Sequence, residues 1–205
     1  ENDPHIQKLF DPSTNSAITP ENVRDALDRA ATYIKSLSQR RRGTGFMKKL
    51  LEQRICSSLT SGLHTLRAMH DNQTDALKEQ FDDEIEETPD LLDDIKPPRP
   101  EEQHSLADAI QGLEQILQNE GDPKLDIIKA FLIGKDWASN GSILFSQYFD
   151  TAEYFAQSIA QILPDIPIAL YAGANKSGIY RGSQFSSVER DSIKTAVKEK
   201  TISLV

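Results

Sequence analysis

The sequence predicts an α/β protein in which a helical N-terminal region is followed by part of a doubly wound parallel sheet. Up to about residue 135, apolar residues recur at helical spacing. From residue 136 onward, short apolar runs alternate with helical patterns, as they do in βαβ units. We therefore divide the chain into a helical region, residues 1–135, and an α/β region, residues 136–205.

The composition favours a cytoplasmic protein that does not enter a membrane. The chain has 205 residues and a single cysteine, Cys56, so no internal disulfide can form. It contains no apolar run long enough to span a bilayer and no signal peptide. Because the chain starts at Glu1 without an initiator methionine and stops within an apolar run, we expect it to be a fragment of a longer polypeptide.

The net charge of −9 comes almost entirely from one acidic segment, residues 78–103, which carries eleven acidic residues against three basic ones. A block of like charges next to clustered prolines buries too little apolar area to offset its ordering entropy. We therefore expect a mobile surface loop. The alternatives are a carboxylate metal site and an autoinhibitory segment that mimics nucleic-acid phosphates. Because the acidity is local, the net charge does not exclude nucleic-acid binding elsewhere in the chain.

Several signals mark helices in the first region. Thr19 and Pro20 form a good helix start, and an amphipathic pattern follows to about Gln39. The longest helical pattern covers residues 45–69. Two further helix starts are predicted, at Ser105 with Asp108 and at Asp122 with Pro123.

A basic cluster follows the first predicted helix. Arg40, Arg41 and Arg42 stand before Gly43, an arrangement typical of a helix C-terminus, where cations meet the negative end of the helix dipole. Lys48, Lys49 and Arg54 follow within fifteen positions of Arg40. The whole cluster is therefore also a candidate phosphate contact, and the two interpretations are compatible.

The α/β region begins with a strand, a helix and a second strand. A short apolar run at 143–145 predicts a buried strand, and Asp150 with Glu153 forms a capping-box signature for the helix that follows. Pro164 ends this helix, and the apolar run at 168–170 predicts a second strand parallel to the first.

The remainder of the region extends this pattern. A long loop rich in glycine and serine is predicted after Leu170, and Ser186 with Glu189 forms a second capping box. Residues 202–205 then begin a third strand. Ligands of such sheets bind at the carboxyl ends of the strands. Those ends are residues 146–147 and 171–173.

Four segments occur in the order of a known set of motifs. They are a lysine-led helix at 124–132, a strand and turn at 143–155, a strand end at 170–173 and an arginine-bearing helix start at 187–190. In this order they resemble the second RecA-like domain of superfamily 2 helicases, most closely the Swi/Snf-related DNA-dependent ATPases. The sequence ILFSQYFDTAEYF resembles motif IV of that family. The helix at 45–69 resembles the helical segment between the two motor domains of bacterial members.

The resemblance implies a fragment of an ATP-dependent DNA helicase or translocase, with residues 136–205 as the first part of a truncated RecA-like domain. The full-length parent would bind ATP and Mg²⁺ and hydrolyse ATP. The partners it implies are DNA, held mainly through the backbone of a duplex, and the remaining motor domain of the same polypeptide. This chain has no GxxxxGK loop and no Asp-Glu-x-His box. We therefore expect it to bind neither ATP nor Mg²⁺ and to be inactive alone.

No catalytic or metal-binding residue is predicted in this chain, but seven residues are predicted to contact nucleic acid: Ser146, Gln147, Gly173, Arg190, Arg40, Arg41 and Arg42. A helix N-terminus after a strand is a natural phosphate seat, and such contacts fix position without reading sequence. For Ser146 and Gly173 the alternative roles are capping and turn formation. For Arg190 the alternative is an ordinary surface cation.

Two other functions remain open from the residues alone. One is a helical protein-interaction module joined to a nucleotide-binding or flavodoxin-like α/β domain without a motor role. The other is a self-contained hydrolase, which is the weaker hypothesis because the sequence has no Gly-x-Ser-x-Gly elbow.

Overall fold

The computed structural model describes residues 20–38, 44–73, 77, 98–173 and 175–205. The chain divides into two compact units, an N-terminal unit, Glu1–Pro123, and a C-terminal unit, Lys124–Val205. The predicted arginine cluster at residues 40–42 and most of the predicted mobile segment, residues 78–97, lie outside the described residues.

The described part of the N-terminal unit is helical. Its helices are α1 (Pro20–Ser38), α2 (Thr44–Ser57), α3 (Leu59–His70) and α4 (Pro100–Asn119). α1 and α3 both pack on α4, and α2 packs on α1 and α3. One apolar core joins all four, and its most deeply buried members include Ile34, Leu51, Leu66, Leu106 and Leu113. The amphipathic helices predicted for this region therefore bury their apolar faces against one another.

The single helix predicted over residues 45–69 is wrong, because the structure breaks it at Ser58. Ser58 is extended, with φ −155° and ψ 152°, and its hydroxyl accepts a hydrogen bond from the Ser61 N–H at 3.0 Å. Just beyond the break, Gly62 packs directly on Ile55, so closely that a Cβ there would lie 2.9 Å from the Ile55 Cα. The small residue lets the two helices approach, and Ser58 caps the second one.

Buried polar contacts stabilise this break. The Leu59 N–H, at the start of α3, donates to the Asp122 carboxylate at 2.8 Å. The Arg54 Nε on α2 donates to the Thr65 hydroxyl on α3 at 2.6 Å. Arg54 is only 1 % exposed, so it is not available to the basic surface cluster in which the sequence placed it.

Of the two helix starts predicted in this part of the chain, one is wrong and the other is confirmed. The start predicted at Ser105 with Asp108 is wrong, since α4 already begins at Pro100 and the Arg99 N–H donates to the Glu102 carboxylate at 2.9 Å. The last residues of the predicted mobile segment are thus helical. The start predicted at Pro123 is confirmed.

The C-terminal unit combines helices with a small sheet. Its elements are α5 (Pro123–Lys129), a π-helical turn (Ala130–Gly134), α6 (Trp137–Asn140), α7 (Phe149–Ile162), β1 (Ile168–Leu170), β2 (Gly178–Arg181), β3 (Gln184–Ser187) and α8 (Arg190–Lys198). The mixed helix-and-sheet class is therefore confirmed, together with a helical first half among the described residues.

The sheet itself differs from the prediction. β1, β2 and β3 pair in order and antiparallel, with Ile168 opposite Tyr180 and Gly178 opposite Ser187. The long loop predicted after Leu170 is wrong over residues 178–187, which form the β2–β3 hairpin. Gly182 turns this hairpin at φ +56°, a conformation that glycine adopts readily.

Parallel pairing is confined, in the described chain, to isolated bridges that involve Leu204. Leu204 bridges Ser142 on one side and Ile168 on the other. The supporting bonds run from the Ser142 N–H to the Ser203 carbonyl at 2.7 Å, and from the Ala169 N–H to the Leu204 carbonyl at 2.9 Å. The predicted three-stranded parallel sheet is thus replaced by an antiparallel sheet with short parallel segments beside it.

Two helices cover this unit's core. α7 packs its apolar face, which includes Phe155, Ile159 and Ala160, on β1 and β2, while Ile193 of α8 packs with Ala169 and Ile202. The helix end before Pro164 is confirmed.

Both capping boxes predicted for these helices are wrong. α7 starts at Phe149 after an N-cap residue, Tyr148, that makes no side-chain cap bond. Ser186 lies in β3, and α8 starts four residues later at Arg190. None of the helices in the described parts of the chain is long and apolar enough to cross a membrane.

Candidate functional site

An apolar cavity of about 550 Å³ lies in the C-terminal unit. Its walls are the segment 143–146, α7, β1, α8 and the residues 204–205, with Ile128 of α5. Most lining side chains are aliphatic or aromatic. The polar or charged side chains among them are those of Ser146, Tyr171, Lys194 and Lys198. The cavity is therefore an apolar space with a small cationic border.

Ser146 and Tyr171 reach this cavity from the ends of two neighbouring segments. Residues 142 and 168 both pair in parallel with Leu204. The chain after each of them therefore runs in the same direction, toward the same end of the sheet. Tyr171 follows β1 directly and so lies at the carboxyl end of a strand, as the sequence predicted. The strand predicted at 143–145 is wrong, because these residues are exposed and form no strand beyond the isolated bridge at Ser142. Gln147 is exposed and does not line the cavity, and Gly173 is also exposed.

Tyr171 contacts two cations of α8. The Arg190 guanidinium lies 5.0 Å from the centre of the Tyr171 ring, and the Lys194 ammonium lies 5.9 Å from it. Lys198 follows one turn later. Arg190, Lys194 and Lys198 stand four residues apart, so they share one face of α8, and all three are exposed. We call these three residues the basic stripe.

Asp191 is the acidic neighbour of the basic stripe. The Lys194 ammonium donates to the Asp191 carboxylate at 2.9 Å, and this bond holds the pKa of Asp191 below its usual value. The same bond, together with one to Tyr171, raises the pKa of Lys194. The pair is solvent-exposed, so water and salt screen it. An anion that binds the stripe must compete with Asp191 for Lys194.

Replacing Lys194 with methionine is expected to raise the pKa of Asp191 toward its ordinary value, because the main cause of its depression is removed. In the wild type the pair is complete above the lowered pKa of Asp191 and is lost as the pH falls through it. An NMR titration of the Asp191 carboxyl measures the shift. The matched variant is Lys198→Met, which removes only a weaker Coulombic effect. Equal shifts in the two variants would contradict the assignment.

The predicted site residues have local bonding partners of their own. The Ser146 hydroxyl donates to the Tyr148 carbonyl at 3.0 Å and accepts from the Tyr148 N–H at 3.2 Å, which is a turn-forming role. The Gly173 carbonyl accepts from the Lys176 N–H at 2.9 Å. No atom lies within 4 Å of a Cβ built at Gly173, so a side chain would fit there.

Sequence reasoning named Arg190 and missed the other two members of the basic stripe. The signal was present, since residues 190, 194 and 198 repeat at four-residue spacing over a pattern recognised as helical. Their meeting with Tyr171 was not readable from the sequence, because it depends on how α8 packs beside β1.

The turn before α7 does not fit the triphosphate of ATP. The turn that leads into α7, residues 145–149, contains neither glycine nor lysine, and the hydroxyl of its Ser146 is already bonded to Tyr148. Over the described parts of the chain, no three His, Cys, Asp or Glu side chains converge in a way that could hold a metal ion. A turn without glycine or lysine cannot wrap a triphosphate as the phosphate loop of a nucleotide-driven motor does.

No protein-family model matches the chain, and no curated protein or solved structure matches it significantly.

Proposed function

We propose that this chain belongs to an ATP-dependent DNA translocase or helicase of the Swi/Snf-like type and supplies contacts to the DNA backbone. The observation that carries the proposal is the position of Leu204 between residues 142 and 168, with parallel bridges on both sides. This order supports our proposal that the unit is the first part of a doubly wound, RecA-like sheet. In such a sheet the carboxyl ends of the strands lie at the same end of the sheet. The resemblance of residues 143–155 and 170–173 to the family motifs points in the same direction.

The basic stripe is the part of the unit best suited to phosphate. Arg190 offers a planar fork of donors for a phosphodiester, while Lys194 and Lys198 add point charges along the same helix face. Tyr171 lies at the carboxyl end of β1, beside Arg190 and Lys194. Contacts of this kind position a protein on a duplex independently of sequence. The predicted phosphate contacts of Ser146, Gln147, Gly173 and residues 40–42 belong to the same proposal.

In this proposal, ATP and Mg²⁺ are bound by the rest of the parent protein and not by this chain. The remaining motor domain of the same polypeptide is the partner that would complete the nucleotide site, and the setting is cytoplasmic. The helical unit would then link the motor domains and couple them. In this chain, the residues next to the cavity hold DNA and do not act on the nucleotide.

The first test is the affinity of the chain for a fluorescent DNA duplex as a function of salt. Replacing all three stripe residues with alanine is expected to reduce the slope of log K against log salt by about 3, or about 1 for each lost phosphate contact. Asp191→Asn should strengthen binding because it frees Lys194, and Lys135→Ala in the same unit serves as a control. An unchanged slope in the triple variant would exclude the stripe as the DNA contact. Binding of a mononucleotide without any DNA binding would favour the non-motor α/β alternative.

The second measurement is ATP turnover with and without duplex DNA. The chain alone is expected to show no turnover, and the full-length parent is expected to show turnover that DNA stimulates. Replacing Gln147 and Arg190 with alanine in the parent should lower the stimulation while the fold is retained. Stimulated turnover by the isolated chain would refute the proposal, as would a parent without ATPase activity.

A further inference from the structure

The segment Ser142–Ser146 has one bonded edge and one open edge. On the bonded edge, the N–H groups of Ser142 and Leu144 donate to the carbonyls of Ser203 and Val205, at 2.7 and 2.8 Å. Ile143 and Phe145 alternate with these residues, so their backbone groups point the other way. They form no backbone hydrogen bond with any residue that the structure describes. Within the described part of the chain, the open edge is therefore available to another strand.

The side chains along this open edge are apolar and unusually exposed. Phe145 is 93 % exposed and Ile143 is 59 % exposed, while Leu144 between them is partly exposed. All three also line the apolar cavity. A strand added here would therefore gain backbone hydrogen bonds and would also remove apolar area from water.

The edge lacks the features by which proteins prevent identical strands from pairing. Lysine, proline or an inward-pointing charge usually blocks such edges. Residues 137–149, WASNGSILFSQYF, contain no charged residue and no proline. Two copies of this segment can therefore approach without like-charge repulsion.

The open edge is also complementary to itself. In an antiparallel arrangement about a twofold axis through Leu144, Ile143 of one copy lies opposite Phe145 of the other. In such pairs the two residues exchange both backbone hydrogen bonds, and the unpaired groups of Ile143 and Phe145 are the ones this requires. We propose that the chain forms a twofold homodimer by antiparallel pairing of the segment Ser142–Ser146 with the same segment of a second copy.

Sedimentation equilibrium from about 1 µM to about 0.5 mM tests this proposal, a range that covers weak and moderate association. The wild type is expected to double in mass with concentration. Phe145→Lys and Ile143→Lys should each abolish the dimer, because the new lysine then lies opposite an apolar residue of the partner copy and diagonal to the partner's own new lysine. The matched control is Ile133→Lys, since Ile133 is 54 % exposed but is not part of the segment Ser142–Ser146 and does not line the cavity beside it, so this variant should still dimerise.

The backbone pairing between the two copies can be measured separately, by hydrogen exchange. Hydrogen exchange of the Ile143 and Phe145 amides should slow with rising wild-type concentration, and the Phe145→Lys variant should lose this dependence. Trp137, the only tryptophan, reports by its fluorescence whether each variant is folded. A wild type that stays monomeric over the whole range overturns the proposal. So does a dimer that persists in both folded edge variants.

Discussion

Replacing Leu113 with alanine is expected to lower the free energy of unfolding of the N-terminal unit by about 3 kcal/mol. Leu113 is fully buried on α4, in the core that α4 shares with α1, α2 and α3. The loss combines the transfer free energy of the removed atoms with the cavity they leave. Denaturant unfolding followed by far-UV circular dichroism measures it.

The control for this variant is Leu117→Ala on the same helix. Leu117 packs against the same core but is only partly buried, so the cost should be clearly smaller. If the two variants lost equal stability, or if Leu113→Ala lost less than about 1 kcal/mol, the described packing of α4 would be wrong.

Replacing Gly178 with alanine is expected to destabilise the C-terminal unit by about 2 kcal/mol. A methyl group at Gly178 would overlap the Phe185 ring and lie 2.7 Å from the Ser186 carbonyl oxygen on the paired strand. Phe185 is itself stacked on Tyr180, with ring centres 4.7 Å apart, so the hairpin must shift to admit the methyl group. Denaturant unfolding followed by Trp137 fluorescence reports on this unit.

Gly173→Ala is the matched control for Gly178→Ala. It makes the same chemical change in the connection just before the hairpin, where the added methyl group meets nothing within 4 Å. Its expected effect is within about 0.5 kcal/mol of zero. A large loss at Gly173, or none at Gly178, would contradict the register of β2 and β3.

The parts of the fold that were predictable are those with local causes. α1 and α5 begin at prolines, and α7 ends before Pro164 because proline cannot continue a helix. The parts that were missed have distant causes. The break at Ser58 depends on Asp122, which is remote in the sequence and bonds the Leu59 N–H. The hairpin was missed because its glycine and serine content matched that of a loop.

The candidate site, like the fold, was predictable from the sequence only in part. The strand end at Tyr171 followed from the apolar run before it, because a strand must end where its run ends. The apolar run at 143–145 predicted a strand that does not form. Arg190 came only from the family resemblance. Lys194 and Lys198 repeat at four-residue spacing after Arg190, so the helical pattern could have placed all three on one face. The cavity depends on the packing of several elements, so no local pattern indicated it.

Residues 203–205 lie between the segment 142–144 and β1, and this position has a consequence for how the chain folds. The β1–β2–β3 hairpins join neighbours in sequence and can form quickly, whereas the bridges of Leu204 to Ser142 and Ile168 must close long loops. During synthesis, the segment 142–144 therefore has no pairing partner until residues 203–205 leave the ribosome. Until then the backbone groups of Ser142 and Leu144 also lack their partners at residues 203–205, and this is when the nascent chain is most prone to aggregate or to require a chaperone.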